Sequence, residues 1–410
     1  MRPLAVIASL TAALAASGAE LHVGSGQTHA TITSAIAAAA AGDTITVHGG
    51  RYTEEALRIT KPLTLSGLDD PVLNGASKKE IILISASDVT VRGFMLRDGG
   101  RSSTKEFAGI RIDSASRVTV ADNKLLNCDY GIYLAKAHQC EVLRNTIEGR
   151  PDQELNTGNG VHLWSCDGIH VAGNHITGHR DGIYLEFSSE SAVEDNVVEK
   201  NMRYGLHFMT THNSHYRKNK FSRNGAGVAV MFSRHVEMTY NEFEYSWGGS
   251  AYGLLIKDLT DSTIRGNRFH HNSTAIYCQG ATRTDFERND FKENGWALRI
   301  LSSGEDNTFR GNNFSRNSFD VGTNGELAHH TFAGNYWDRY EGYDLKHDGA
   351  GDVPFRPISL YAVVTERVPA SLFLLHSFMV HLLDRAEKAF PTITPEGVID
   401  SSPAMRPHPL

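Results

Sequence analysis

The chain has 410 residues, of which 40% are hydrophobic and 21% charged, and a formal net charge of −7. That mix excludes a disordered tail protein, and the acidic balance leaves no basic footprint for nucleic acid. Two counts depart from the ordinary, 38 Gly against 12 Pro and a total of 20 His, and the second invites a search for metal ligands.

Residues 1–19 read as a signal peptide, because Met1-Arg2 precedes an apolar stretch from Leu4 to Ala16, with small residues at Ser17 and Ala19. The mature chain is expected to start near Glu20 in an oxidising compartment, most simply a bacterial periplasm. Residues 20–108 read as an N-terminal cap and first coils. Within them the Ala-rich stretch Thr31–Ala41 predicts a helix, and Gly42-Asp43 leads into the strand-like Thr44–His48.

From 109 to 342 the chain repeats. Asn123, Asn145, Asn174, Asn196, Asn219, Asn241, Asn267, Asn289, Asn312 and Asn335 are each followed two positions later by an apolar or aromatic residue, at spacings of 22, 29, 22, 23, 22, 26, 22, 23 and 23. A second series in the same phase, Gly109, Gly131, Gly160, Gly182, Gly205, Gly227 and Gly253, then Ala275 and Ala297, opens alternating stretches of strand character. The two long steps fall on insertions at 149–159 and 245–252. A unit of about 22 residues with short strands, corner Gly and Asn, and no helix predicts an all-β parallel β-helix, with like positions about 4.8 Å apart on successive coils. An Asn at one corner of every coil predicts a ladder of side-chain amides.

In this register the residues one and three past each Gly are apolar and face inward, so those two and four past face outward. The positions two past read His162, Tyr184, His207, Ala229, Leu255, Tyr277 and Arg299; those four past read Trp164, Glu186, Met209, Met231, Lys257, Gln279 and Leu301. Met209 and Met231 thus fall on adjacent coils, with His207 about 6.8 Å along the strand from Met209. Two thioethers and an imidazole suit Cu(I) and poorly suit Ca²⁺ or Mg²⁺. The candidate metal residues are Met209, Met231 and His207, with Glu186 as a flanking carboxylate and His212, His215 and His235 in reserve. The same residues also read as an apolar patch for a partner protein, and the two readings are compatible. Cys128, Cys140, Cys166 and Cys278 do not stack in register, which predicts free, buried thiols rather than disulfides.

Residues 343–390 comprise a Gly/Asp-rich loop and an apolar, helix-like tail from Ile358 to Phe390, split by Pro369. Asp344–Asp352 partly imitates a calcium loop, but Lys346 stands where a ligand is expected, so a turn is the stronger reading and calcium the weaker. The tail is shorter than the roughly 20 apolar residues of a membrane span. It is expected to cap the last coil or to dock on a membrane or a membrane-protein partner. Residues 391–410, rich in Pro, read as an extended or disordered C-terminus.

A β-helix with a helix–Gly-Asp–strand cap resembles the pectin-lyase-like superfamily of right-handed parallel β-helices, in which polysaccharide lyases, hydrolases and epimerases are common. Gly182–Ser189 (GIYLEFSS), Tyr204–Met209 (YGLHFM), Met231–Arg234 (MFSR), Asn335–Trp337 (NYW) and Tyr343–Pro357 (YDLKHDGAGDVPFRP) are similar to the NosD family. That resemblance implies a periplasmic, non-enzymatic accessory protein, held at the inner membrane through a partner and acting with an ABC-type ATPase and a membrane permease. It further implies copper received from a chaperone lipoprotein, support for assembly of the multicopper centre of nitrous oxide reductase, and a C-terminal tail that docks on the permease. The ligand residues named above come from the coil register alone. Two other classes compete: a polysaccharide lyase or epimerase built from Lys257, Asp258, Glu186 and Arg234, and a metal-free scaffold that recognises the reductase.

Overall fold

A computed structural model describes residues 18–409 except 103, 151–156, 302, 326, 328 and 391–396; most of the expected signal peptide therefore lies outside the described residues. Each regular coil supplies three short strands, as in Asp181–Glu186, Ala192–Glu194 and Val197–Glu199, and like strands of successive coils pair in parallel. The result is the expected all-β, right-handed parallel β-helix. One sheet has 13 strands; the other has 23, because it takes in two faces of the coil that fuse in Ala226–Thr239, Tyr252–Arg265 and Thr274–Glu287. At the start, helix α1 (Ile32–Ala38) is capped by Thr31, whose hydroxyl accepts from the Ser34 amide, and it buries Ile32, Ala35 and Ile36.

The ten Asn form one ladder. Asn219 is typical: its Nδ2 donates to Asn241 Oδ1 (3.0 Å) and to Val193 O (2.7 Å), and its backbone amide donates to the same Asn241 oxygen (2.9 Å). Corner backbone groups that would be buried without partners are satisfied in this way on every coil. Two residues past each Asn the side chain points into the core, where Phe243, Phe269, Phe291, Phe314 and Trp337 stack at centroid spacings of 4.5, 5.1, 4.9 and 4.1 Å. A second ladder, five residues past the first, links Asn201 to Asn224 and Asn272 to Asn294 to Asn317.

The Gly series has a different cause from the corner role expected of it. All of those glycines but Gly160 lie within strands, and what excludes a side chain is space: a Cβ on Gly182 would sit 2.2 Å from Val198 Cγ1 and 2.6 Å from Gly205 O. The left-handed corner residue is the one just before each ladder Asn, and it is often not glycine, as at Asp122 (φ 57°), Lys218 (φ 52°) and Tyr240 (φ 56°). Short polar residues tolerate that conformation best, so the stacked hydrogen bonds around it hold the bulkier ones there.

At the far end, helix α2 (Leu360–Arg367) packs on the last coils through Tyr361 and Ala362 against Trp296 and Phe319, joined by Val380 of helix α3 (Phe378–Ala389). Arg299 makes a two-pronged ion pair with Glu366, at 2.7 and 2.8 Å. Residues 397–409, read from the sequence as part of an extended or disordered arm, run as a strap over the open end. Asp400 bridges to Phe332 and Phe355, Ala404 to Tyr336 and Ala350, and the His408 amide donates to Asn313 Oδ1 at 2.8 Å. Asp400 is fully buried and ends the Asn ladder, accepting from Asn335 N and Nδ2 at 3.0 Å each and from Trp337 Nε1 at 3.1 Å.

Candidate metal-binding face

Strand pairing sets the outward column in the expected order: Trp164, Glu186, Met209, Met231, Lys257 and Gln279 are successive partners. Met209 and Met231 are partly exposed and lie one strand spacing apart, about 4.8 Å. Glu186 and Lys257 flank the pair, one anionic and one cationic. The thioethers are thus presented side by side with a path to solvent, an arrangement that can accept and release a soft ion.

The column two past each Gly is outward but not open, which corrects the expectation for His207. Tyr133, His162, His207 and Ala229 are buried under their neighbours. Rings follow one another along it: Tyr133 stacks on His162 at 4.5 Å, His162 meets Tyr184 tilted at 4.8 Å, and Tyr184 meets His207 edge-on at 4.8 Å, with Tyr204 tilted against His207 at 5.0 Å. Burial drives the pKa of His162 down to about 3, so this imidazole is neutral. Burial, with the Glu186 carboxylate beside it, pushes the Tyr184 hydroxyl up.

His207 Nδ1 lies 3.3 Å from Asp181 Oδ2 and 3.3 Å from Arg203 Nη2. Asp181 is fully buried, and Arg203 Nε donates to its Oδ1 at 2.9 Å. Burial alone would raise the Asp181 pKa, but the hydrogen bonds and charges of Arg203 and His207 outweigh it and hold the carboxyl below its usual range. The other ring nitrogen, His207 Nε2, is buried and has no hydrogen-bond partner. An imidazole held through one nitrogen by a buried carboxylate, with the other nitrogen free, is how metal-binding histidines are commonly oriented. Sequence reasoning missed Asp181 and Arg203; their signal was an Asp just before Gly182 and an Arg two before Gly205, with Tyr204 pairing in register with Asp181.

A further missed feature is the pair Phe187 and Phe232, which follow Glu186 and Met231 directly, Phe187 just past its strand and Phe232 inside the long strand Ala226–Thr239. They are 55% and 53% exposed and left-handed, at φ 50° and 52°. A bulky residue in that conformation is uncommon, and here the two rings border the methionine column.

The competing catalytic cluster is not assembled. Glu186 and Lys257 are three strand steps apart, roughly 14 Å, and Arg234 lies beyond the corner on the next face, paired with Thr260. In the Gly/Asp loop, Asp344 accepts from the Asp348 and Gly349 amides, Asp348 from the Ala350 amide, and Asp352 from the Leu345 amide, while Lys346 Nζ sits 2.8 Å from Asp352 Oδ1. The loop's carboxylates are thus engaged by its own amides and ammonium. All four cysteines are free and buried.

Fold and site together define a parallel β-solenoid that displays two thioethers in register along one outer face. A family profile described as "Periplasmic copper-binding protein (NosD)" matches residues 143–342, and a "Protein of unknown function (DUF1565)" profile matches residues 16–231. A "Probable ABC transporter binding protein NosD" of Pseudomonas aeruginosa is 31% identical over 87% of this chain and 87% of its own length. One of the same description from Stutzerimonas stutzeri is 28% identical over 85% of this chain and 84% of its own. The chain belongs to the NosD family. Both relatives are named as binding proteins and neither as an enzyme. Among solved structures, a family 28 exopolygalacturonase of Yersinia enterocolitica (11% identity, TM-score 0.57, 78% of this chain and 79% of that one) shares the fold. So does the Streptococcus pneumoniae surface adhesin PfbA (10% identity, TM-score 0.55, 75% and 88%).

Proposed function

We propose that this protein is exported to the periplasm, binds Cu(I) transiently at Met209 and Met231, and passes it on during assembly of the multicopper centre of nitrous oxide reductase. The supporting observation is the register pair of accessible thioethers beside a buried imidazole, His207, whose Nε2 is free and whose Nδ1 is held by Asp181. Copper is cargo in this reading. Thioether with imidazole is a soft donor set that favours Cu(I) over hard cations, and Glu186 adds negative charge at the rim. Phe187 and Phe232 give the same surface a protein-contact border, so a copper chaperone lipoprotein and the reductase would meet the chain where the ion sits.

Membrane attachment falls to the C-terminal end. No helix among the described residues is long and apolar enough to cross a bilayer, yet Phe373, Phe378 and Met379 are 95%, 81% and 69% exposed on the capping helices. They are the natural contact for the permease of an ABC-type complex, whose ATPase would supply the energy. Competition with a colorimetric Cu(I) chelator tests the site. The Met209→Ala/Met231→Ala double variant should bind at least tenfold more weakly than the parent; equal affinity would rule the site out.

A further inference from the structure

The strand Glu20–Val23 pairs with Thr44–Val47 in the register Glu20 with Thr44, Leu21 with Ile45, His22 with Thr46 and Val23 with Val47. Alternation sends Leu21, Val23, Ile45 and Val47 to the core and leaves Glu20, His22, Thr46 and then His48 on the outer face. There His22 Nδ1 lies 3.1 Å from His48 Nε2, the rings tilted 46° with centroids 5.4 Å apart. The backbone fixes both residues. The His48 amide donates to Val23 O at 2.9 Å, and the Tyr52 hydroxyl donates to His48 O at 2.7 Å. Gly24 follows at φ 151°, where a Cβ would press on His48 Cβ at 3.1 Å, so glycine lets the imidazole lie flush against the strand. Behind His22, Glu20 Oε1 is 3.8 Å from Nε2 and is held by the Thr46 hydroxyl at 2.8 Å.

We propose that His22 and His48 form a second metal site, separate from the methionine column, that holds one Cu(II) ion through His22 Nδ1 and His48 Nε2, with water completing the coordination. The geometry carries this. A metal about 2.0–2.1 Å from each nitrogen, bound at an angle of about 100°, places the nitrogens about 3.1 Å apart, which is the spacing already present. In the metal-free pair one proton bridges the two nitrogens. On binding, that proton moves to the outer nitrogen of its own ring; for His22 this is Nε2, facing Glu20, which gives the carboxylate–imidazole–metal order that orients a ligating histidine. Imidazole donors favour Cu(II), the tightest binder of the divalent first-row series, where thioethers favour Cu(I). The column from Thr44–Val47 to His212–Arg217, the strand after Met209, has seven steps, roughly 34 Å, so the two sites act independently. Failure of either site leaves the other standing.

A chain cleaved to begin at Glu20 has a rival source of affinity, chelation by its α-amino group, the first two amides and the His22 imidazole, which needs no His48. The test therefore uses the full chain from Glu20, once with a free and once with an acetylated terminus, titrated with Cu(II) against glycine and followed by electron paramagnetic resonance. Two imidazole nitrogens should couple to the copper. His22→Gln and His48→Gln should each weaken binding at least tenfold, while acetylation and Met209→Ala/Met231→Ala leave it unchanged. Affinity that survives His48→Gln, or that vanishes on acetylation, would overturn the proposal. Both histidines are partly exposed, so circular dichroism should show both variants folded.

Discussion

Asp320 and the four cysteines show how much a single side chain depends on its depth in the coil. Asp320 is fully buried, accepts from Asn317 Nδ2 at 3.2 Å, and has its pKa pushed up to about 6, chiefly by burial. Because the folded value lies above the unfolded one, the fold favours the protonated acid. The cost is absent below about pH 4, grows as pH rises to about 6, and then stays near 3 kcal/mol. Asp320→Asn should therefore raise the melting temperature at pH 7 and leave it unchanged near pH 4, and a difference that does not vary with pH would contradict the assignment. The thiols of Cys128, Cys166 and Cys278 are likewise pushed up to about 12 by burial. A thiol reagent such as Ellman's should find none of the four reactive in the native protein and all four in denaturant without reductant. Any disulfide would lower the second count.

Strands here are too short to be stable singly, and their cohesion comes from columns of like residues repeated up the stack. Such columns create a problem at their ends, because an Asn ladder finishes with amide donors and nothing to receive them. Both ladders end on an aspartate, the first at Asp400 and the second at Asp320. Asp400 comes from a segment more than 60 residues past the last ladder Asn, which makes the C-terminal strap a structural cap. Asp400→Ala would strand the Gly334 and Asn335 amides, Trp337 Nε1 and one of the two Asn335 Nδ2 hydrogens, the other staying on Phe309 O, at an expected cost of about 3–5 kcal/mol in urea denaturation. Asp400→Asn, which keeps an acceptor oxygen, should recover about half, and unchanged stability in the Ala variant would dismiss the cap.

As proposed, the solenoid carries its roles at different stations: a capped N-terminal end with paired histidines, a middle with methionines on one outer face, and a C-terminal end with exposed aromatics. A rigid stack keeps these stations at fixed distances, since each coil contacts only its neighbours and adds one strand spacing. The Cu(I) and Cu(II) titrations are therefore expected to give separable affinities, each sensitive to its own residues.

The repeat phase alone carried the fold, the amide ladder and the adjacency of Met209 with Met231, because all depend on local alternation and on a period of about 22 residues. Resemblance in GIYLEFSS and YGLHFM likewise pointed to the NosD family. Only the tertiary structure decided that the Gly series answers to inter-coil contact rather than to a turn, that His207 is buried against Asp181, and that the last residues cap the first ladder. It also brought His22 to His48, 26 residues away. The reason is physical: register predicts which face a side chain occupies, but burial, proton partners and end caps depend on segments that arrive from elsewhere in the chain.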